Sequence, residues 1–303
     1  MPTDQRLASI AHLYPFESHY LDVGGARMHY VDEGDGPPIV LVHGNPTWSF
    51  YFRDIIKGLR DENRVIAFDH VGCGLSDKPQ RYPYTLATHI RNTGQLIDHL
   101  GLESLTLGGH DWGGAIGFGW AVRHAERVRR LVVFNTAAFL GGRTPLRIRL
   151  CRWPVVGDLL VRGLNGFSRS AIYMVCMNRS SMTPEVAKGY LLPYDSWANR
   201  VAVMRFVRDI PMTSRVPSYA ILREIEAGLT TLRDKPMIVL WGGRDFCFDD
   251  LFLGEWRRRF PRADIHRFPD AGHYVVEDAH DRIVPLIQRF MLSEPRAQAT
   301  GPT

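Results

Sequence analysis

The sequence GHDWG at residues 109–113 places a carboxylate between two glycines, directly after an apolar run that predicts a strand. A nucleophile at the tip of a sharp strand-to-helix turn has this pattern, because side chains at the flanking positions would clash with the strand or the helix. The small residues at 113–115 predict the helix that follows. We therefore predict that Asp111 is a nucleophile. The alternative is an aspartate that only caps a helix.

The type of nucleophile limits the chemistry. No G-x-S-x-G motif occurs anywhere in the chain, so a serine nucleophile on such a turn is excluded. A carboxylate is suited to in-line attack at carbon, which forms an ester bonded to the enzyme. Such an ester needs a base that activates water, so a histidine partner is expected.

His273 is the predicted base. It lies in a loop after a predicted strand, at the edge of the sheet where Asp111 stands. It also completes the chain order nucleophile, acid, histidine. Four other histidines follow or lie within predicted elements and are expected to pack or to form structural hydrogen bonds: His43, His70, His266 and His280.

The acid that orients the histidine is predicted to be Asp245, which follows the predicted strand 236–240 and a pair of glycines. A carboxylate there would hold the second imidazole nitrogen and fix the tautomer. The other position for an acid, after the predicted strand 131–135, has Asn135, which cannot ionise. The remaining nearby acids are expected to cap helices or close turns: Asp249, Asp250 and Asp270.

The elements that position these residues alternate between short apolar strands and amphipathic helices, which predicts a mostly parallel central sheet with helices on both faces. The rhythm stops after Asn135 and returns with the strand at 236–240. We predict a core domain at 16–135 and 216–292, an inserted helical cap at 136–215, and terminal tails at 1–15 and 293–303. An insertion at this point lies over the carboxyl ends of the strands, where ligands bind.

Composition excludes several classes of function. The 303 residues carry a net charge of +5 without a dense basic run, which argues against nucleic-acid binding. The four cysteines form no C-x-x-C pair, so neither a metal site nor a disulfide framework is predicted, and no cofactor is implied. The first residues have no apolar signal segment and no apolar stretch is long enough to span a bilayer. A cytoplasmic enzyme is the expectation.

Three motifs resemble those of haloalkane dehalogenases, which have the α/β-hydrolase fold: HGNPTW at 43–48, GCGLSDKP at 72–79 and HDWGG at 110–114. The resemblance extends from about residue 16 to 291. Asn45 with Trp112, and an acid at Asp245, resemble the third subfamily of those enzymes. Within that branch, the segments at 192–200, 205–211 and 252–261 resemble the β-lactone decarboxylases of bacterial long-chain olefin synthesis.

The resemblance implies roles for Asn45 and Trp112. Their backbone N–H groups would form an oxyanion hole, and their side-chain N–H groups would receive the departing anion. That anion is a halide in one reaction and the carboxylate of an opened lactone in the other. For Trp112 the simpler interpretation is a buried ring that packs under the cap.

The implied function is therefore decarboxylation of a hydrophobic cis-β-lactone to a long-chain cis-alkene and CO2 or bicarbonate. The alternative is hydrolysis of haloalkanes to alcohol and halide. Two weaker alternatives are a ligand-binding protein without activity and an epoxide hydrolase, which needs cap tyrosines as proton donors. The tyrosines available for that role are Tyr173, Tyr190, Tyr194 and Tyr219.

The predicted cap has an unusual charge. Residues 141–180 contain seven arginines and a single acid, Asp158, interleaved with large apolar residues. One interpretation is an amphipathic cap with solvated arginines. The other is a surface that docks a partner enzyme in a multienzyme assembly or contacts a membrane peripherally.

Overall fold

The computed structural model describes residues 7–141 and 144–293. Its strands are β1 (His19–Asp22), β2 (Arg27–Glu33), β3 (Pro38–Val42), β4 (Arg64–Phe68), β5 (Leu105–Asp111), β6 (Val128–Thr136), β7 (Met237–Gly242) and β8 (Asp264–Phe268). They form one sheet in the order β1-β2-β4-β3-β5-β6-β7-β8. The pairs β1–β2 and β2–β4 are antiparallel, and all other pairs are parallel. The predicted α/β-hydrolase architecture is confirmed.

Helices cover both faces of the sheet. They are α1 (Arg53–Leu59), α2 (Leu86–His99), α3 (Trp112–Ala121), α4 (Leu146–Leu150), α5 (Val156–Asp158), α6 (Gly166–Met174), α7 (Pro184–Leu191), α8 (Val201–Asp209), α9 (Pro217–Gly228), α10 (Asp250–Arg259) and α11 (Val275–Leu292). Between β6 and β7 the described residues form helices and no strand. We refer to α4–α8 as the inserted helices. The boundaries of the core and the cap stay a prediction.

The alternation of apolar residues along β3 divides the core into two layers. Ile39 and Leu41 pack in the layer that contains α1 and α11, whereas Val40 and Val42 pack against α2 and α3. A parallel strand that is buried on both faces must be apolar at every position, and β3 has this pattern. Burying each such side chain contributes about 1.5–3 kcal/mol. The rigid sheet that results fixes the strand ends that carry the polar site.

Most predicted elements lie where the sequence indicates, with two corrections at the site. The run at 104–108 predicts a strand, and in the structure this strand continues as β5 to Asp111, so the carboxylate stands at the strand's last residue. The sequence pattern at 278–291 predicts the final helix, but this helix begins at Val275. The Asp278 side chain does not cap this helix. It accepts hydrogen bonds from the backbone N–H groups of Met177 and Asn178, and so ties an inserted loop to the core.

The described part of the chain contains no helix with the length and apolar character needed to cross a bilayer. The predicted tails are described only at residues 7–15 and 293, so most of both tails lies outside the described residues.

Candidate active site

Asp111 occupies a sharp turn between β5 and α3. Its backbone has φ 53° and ψ −125°, a left-handed conformation that costs a residue other than glycine about 1–3 kcal/mol. The side-chain hydroxyl of Thr136 donates to the Asp111 carbonyl oxygen and helps to hold this conformation. The strained turn projects the carboxylate beyond the edge of the sheet.

The two positions that flank the turn require glycine for the steric reason that the motif predicts. A Cβ atom on Gly109 would lie 2.8 Å from the carbonyl oxygen of Gly113. A Cβ atom on Gly113 would lie 1.9 Å from the carbonyl oxygen of Val42 on the neighbouring strand. Both obstacles are backbone atoms, which cannot move aside without disturbing the sheet or the helix.

We expect Gly113→Ala to destabilise the protein by about 1–3 kcal/mol or more, because the added methyl group would be packed against backbone atoms. Gly254→Ala is the matched control, since a Cβ atom on Gly254 of helix α10 meets nothing within 4 Å. The control should stabilise by up to about 1 kcal/mol through helix propensity. Urea unfolding measures both variants, and equal stabilities would contradict the steric account of the turn.

The two oxygens of the Asp111 carboxylate have different surroundings. Oδ1 accepts a 2.7 Å hydrogen bond from the backbone N–H of Asn45, and the backbone N–H of Trp112 also donates to the carboxylate. Gly44 allows this close approach, because a Cβ atom there would lie 2.2 Å from Oδ1. Oδ2 lies 3.7 Å from Nε2 of His273. Oδ1 is therefore held by the backbone N–H of Asn45, and Oδ2 faces an imidazole.

The imidazole of His273 is oriented from its other side. Its Nδ1 lies 2.7 Å from Oδ2 of Asp245, and both side chains are buried. The second oxygen of Asp245 accepts a 2.6 Å hydrogen bond from the backbone N–H of Cys247. The Phe248 ring stacks on the imidazole with 5.8 Å between ring centroids. The structure thus brings together Asp111, His273 and Asp245.

Asn135 is a site residue that the sequence did not identify, except as a position that lacks an acid. Its amide Nδ2 donates to Oδ2 of Asp245 and to the carbonyl oxygen of Gly242, each at 3.0 Å. Its Oδ1 accepts from the backbone N–H of Gly242 at 2.7 Å. Asn135 therefore fixes the carboxylate that orients His273. A polar residue at the carboxyl end of a buried strand is the signal that could have indicated this role.

His110, within the GHDWG motif, is a second residue that the sequence did not single out. Its Nε2 donates to the backbone carbonyl of His273 at 2.9 Å, and its ring stacks on Tyr51 with centroids 4.4 Å apart. Burial and the neighbouring His273 hold the pKa of His110 well below its ordinary value. The neutral ring therefore positions the loop that carries His273.

The buried surroundings change the proton affinities of both reactive groups. Burial raises the pKa of the Asp111 carboxyl above its ordinary value, although the charge of His273 and the two backbone N–H donors oppose this effect. Burial lowers the pKa of His273, but the charge and hydrogen bond of Asp245, with the charge of Asp111, outweigh it. The pKa of His273 is therefore raised above the ordinary value of histidine.

A mostly apolar cavity of about 380 Å³ opens onto Asp111 and Trp112. Its walls come from the core and from the inserted helices, and include Ala115, Phe139, Pro145, Ile148, Tyr219, Leu222, Phe248 and Phe252. A cavity of this kind fits a hydrophobic small molecule whose reacting carbon lies against the carboxylate.

The side chains of Trp112 and Asn45 differ in availability. Trp112 is half-buried and lines the cavity, and its indole N–H has no acceptor in the described part of the protein. The Asn45 amide donates to the Val203 carbonyl at 3.2 Å, and Asn45 does not line the cavity. Of these two side chains, only Trp112 combines an uncommitted N–H donor with a position in the cavity wall.

The alternative site residues lie elsewhere. His43 and His70 are hydrogen-bonded to each other's backbone, and His266 contacts Asp264. Asp249 caps α10, whereas Asp250 and Asp270 pair with arginines. His280 lies on α11. Over the described ranges, no three histidine, cysteine or acidic side chains are grouped as metal ligands.

Comparison with known proteins identifies relatives with this architecture. A family model described as "alpha/beta hydrolase fold" matches residues 37–163. A cis-3-alkyl-4-alkyloxetan-2-one decarboxylase of Shewanella oneidensis is 45% identical over 285 residues, which cover 92% of this chain and 89% of the relative. The chain belongs to the α/β-hydrolase family of enzymes.

Other α/β hydrolases resemble the chain along most of its length. A decarboxylase of the same name from Xanthomonas campestris is 41% identical and covers 93% of this chain and 98% of the relative. Haloalkane dehalogenase 2 of Mycobacterium bovis is 37% identical, and the match covers 92% of this chain and 96% of the relative. The crystal structure of a haloalkane dehalogenase from Agrobacterium tumefaciens has a TM-score of 0.80 and 27% identity, and covers 91% of this chain and 96% of that chain. The sequence resemblance to both groups is confirmed.

Proposed function

We propose that this α/β hydrolase decarboxylates cis-β-lactones with two alkyl substituents, and that Asp111, His273 and Asp245 form its catalytic triad. The observation that carries the proposal is the Asp111 carboxylate at the wall of a mostly apolar cavity, with Oδ1 held by the backbone N–H of Asn45. The 45% identity to the Shewanella decarboxylase supports the choice of substrate.

The first step is in-line attack by Oδ2 of Asp111 on the β-carbon of the lactone, the saturated ring carbon that is bonded to the ring oxygen. An ester to Asp111 forms as the bond between that carbon and the ring oxygen breaks. The ring oxygen departs as part of a carboxylate that stays attached to the neighbouring carbon. The free indole N–H of Trp112 would donate to this developing anion. The side-chain amide of Asn45 is engaged by Val203, so Asn45 contributes mainly its backbone N–H, which holds Oδ1 of Asp111.

The second step releases the alkene. The new carboxylate leaves as CO2, its carbon–carbon electron pair forms the double bond, and the ester bond breaks to regenerate Asp111. In-line attack inverts the configuration of the attacked ring carbon. A following anti elimination therefore keeps the two alkyl groups on the same side. A cis ring therefore gives a cis-alkene, and no water is consumed.

Haloalkane hydrolysis is the second candidate, favoured by the position of His273. With a halide as leaving group, the ester cannot lose CO2 and must be hydrolysed. His273 Nε2 lies 3.7 Å from Oδ2, close enough to activate a water that attacks the ester carbon. Oδ1 would then become the oxyanion, to which the backbone N–H of Asn45 already donates, and the backbone N–H of Trp112 donates to the same carboxylate. Epoxide hydrolysis would need tyrosines as proton donors. Of the four candidate tyrosines, only Tyr219 lines the cavity.

Product analysis tests the proposal. The purified protein is incubated with a synthetic cis-β-lactone and, separately, with a primary bromoalkane. We expect the cis-alkene from the lactone, detected by gas chromatography with mass spectrometry, at a higher kcat/KM than bromide release from the haloalkane. Bromide release without alkene would reverse the order of the two candidates. Turnover of neither compound would refute both.

The two reactions should differ in their dependence on pH. Both need ionised Asp111, whose pKa is raised, so each rate falls as the pH drops through a value above that of an ordinary aspartate. Haloalkane hydrolysis also needs neutral His273, whose pKa is raised as well. Its acid limb should therefore lie at higher pH than that of alkene formation. Profiles of kcat against pH measure both limbs, because kcat includes hydrolysis of the ester whereas kcat/KM includes only the steps up to its formation. Coincident limbs would contradict a water-free decarboxylation.

A further inference from the structure

The outer surface of the inserted helices carries an unusual set of side chains. Of the fifteen large apolar side chains that are exposed in the described residues, ten lie in the short segment from Leu146 to Met174. We refer to these residues as the apolar patch: Leu146, Leu150, Trp153, Val155, Val156, Leu159, Leu160, Leu164, Tyr173 and Met174.

This exposure is not explained by packing within the chain. The same segment already buries an inner face, which includes Val161, Ala171 and Ile172. A surface helix normally presents polar residues on its outer face once the inner face is buried. Here Trp153 and Leu159 remain 59% and 57% exposed. The outer apolar face therefore needs another occupant.

Trp197 extends the patch. Its ring edge and Leu159 flank Gly163, at 3.7 Å and 3.1 Å from the position of a Cβ atom there. The guanidinium of Arg162 lies 4.7 Å above the Trp197 ring centroid. Tryptophan beside arginine is typical of the boundary between lipid and water, where the ring meets the apolar region and the guanidinium meets phosphate.

The charge of the segment indicates the partner. Residues 144–174 contain five arginines and one acid, Asp158. That acid is already paired with Arg208 of α8, at 2.5 Å. Arg149 and Arg169 are exposed and have no acidic partner within the described ranges. An apolar surface with unneutralised arginines complements an anionic phospholipid bilayer.

Helix α4 contributes to both the apolar patch and the cavity wall. The cavity wall includes Ile148 of helix α4 and Pro145, which directly precedes this helix. The same helix exposes Leu146 and Leu150. A molecule that leaves the cavity past α4 would therefore meet the apolar patch rather than open solvent.

We propose that the apolar patch and its arginines dock the protein on an anionic phospholipid surface, with α4 at the boundary between the lipid and the cavity. Docking does not depend on which substrate the site accepts. It would allow a water-insoluble substrate to enter from the bilayer without crossing water.

Vesicle flotation without substrate tests the docking. The purified full chain is mixed with vesicles of phosphatidylcholine, with or without phosphatidylglycerol, and centrifuged through a density gradient. We expect flotation with the anionic vesicles and at least about tenfold weaker binding to phosphatidylcholine alone. Salt should weaken the binding, because exposed charges are screened.

Two pairs of variants separate charge from apolar contact. Arg149→Glu with Arg169→Glu, and Trp153→Ser with Leu159→Ser, should each weaken binding at least about tenfold. Each of these four substitutions is also made singly, and the controls for the single variants are Arg129→Glu and Leu292→Ser. The controls change exposed residues of β6 and α11 and should bind like the wild type. Circular dichroism checks that every variant is folded.

Absence of flotation by the wild type, or patch variants that bind like their controls, would overturn the proposal. Self-association that the patch variants abolish, without flotation, would identify the surface as a protein contact and would also overturn it. Because no substrate is present, failure here would leave the proposed decarboxylation intact, and failure of the decarboxylation would leave docking testable.

Discussion

Asp111→Asn is expected to lower alkene formation from a cis-β-lactone by at least about 10⁴-fold, as removal of other triad nucleophiles does. The amide keeps nearly the same shape and can still accept the hydrogen bond from the Asn45 N–H, which is 2.7 Å long to Oδ1. It has no charged oxygen to attack the ring carbon. The loss should therefore appear in kcat and not in folding.

Gas chromatography of the alkene measures this loss, with urea unfolding as the check on stability. Asp249→Asn is the matched control, because it makes the same chemical change at the N-cap of α10. The control should retain the wild-type rate. An Asp111→Asn rate within tenfold of the wild type would mean that the carboxylate does not attack the substrate.

His273→Phe is expected to trap the covalent intermediate with a primary bromoalkane. The ester to Asp111 still forms, since attack needs only the carboxylate, but no base activates water against it. Turnover should fall at least about 10³-fold, within the range of general-base catalysis, while one alkyl group accumulates on each enzyme molecule. Intact-protein mass spectrometry detects the alkyl group, and peptide mapping should place it on Asp111.

The same variant gives a contrasting result with the lactone. Alkene release regenerates Asp111 without water, so alkene formation should fall much less than bromoalkane turnover. His273→Gln provides a check on stability, since an amide can still donate to the buried Asp245 carboxylate. Absence of an adduct in both variants would argue against a carboxylate ester as the intermediate.

Much of the site follows from local patterns in the sequence. The glycines around Asp111 indicate the strained turn because the obstacles are close in the fold and are part of the backbone. The positions of His273 and Asp245 follow from one rule, that the carboxyl ends of parallel strands meet at one edge of the sheet. Strand β3 can be recognised because both of its faces are buried.

The features that escaped prediction depend on contacts between distant segments. Asn135 fixes Asp245 across 110 positions of the chain. Its place at the end of a buried strand indicates a site position, but no local pattern identifies Asp245 as its partner. The Asn45 amide donates to Val203 of an inserted helix, a contact that no local pattern encodes. The Asp278 carboxylate accepts hydrogen bonds from the backbone N–H groups of Met177 and Asn178, about 100 positions away, which no pattern near Asp278 encodes.

The central claim is that Oδ2 of Asp111 bonds to a substrate carbon. A single turnover of a primary bromoalkane in isotope-labelled water tests it most directly, with enzyme in excess and the Asp111 peptide analysed by mass spectrometry. The account predicts that the labelled oxygen enters the Asp111 carboxylate, while the alcohol carries an unlabelled oxygen from the protein. Label found only in the alcohol, with an unlabelled Asp111, would show direct attack by water and would contradict the account.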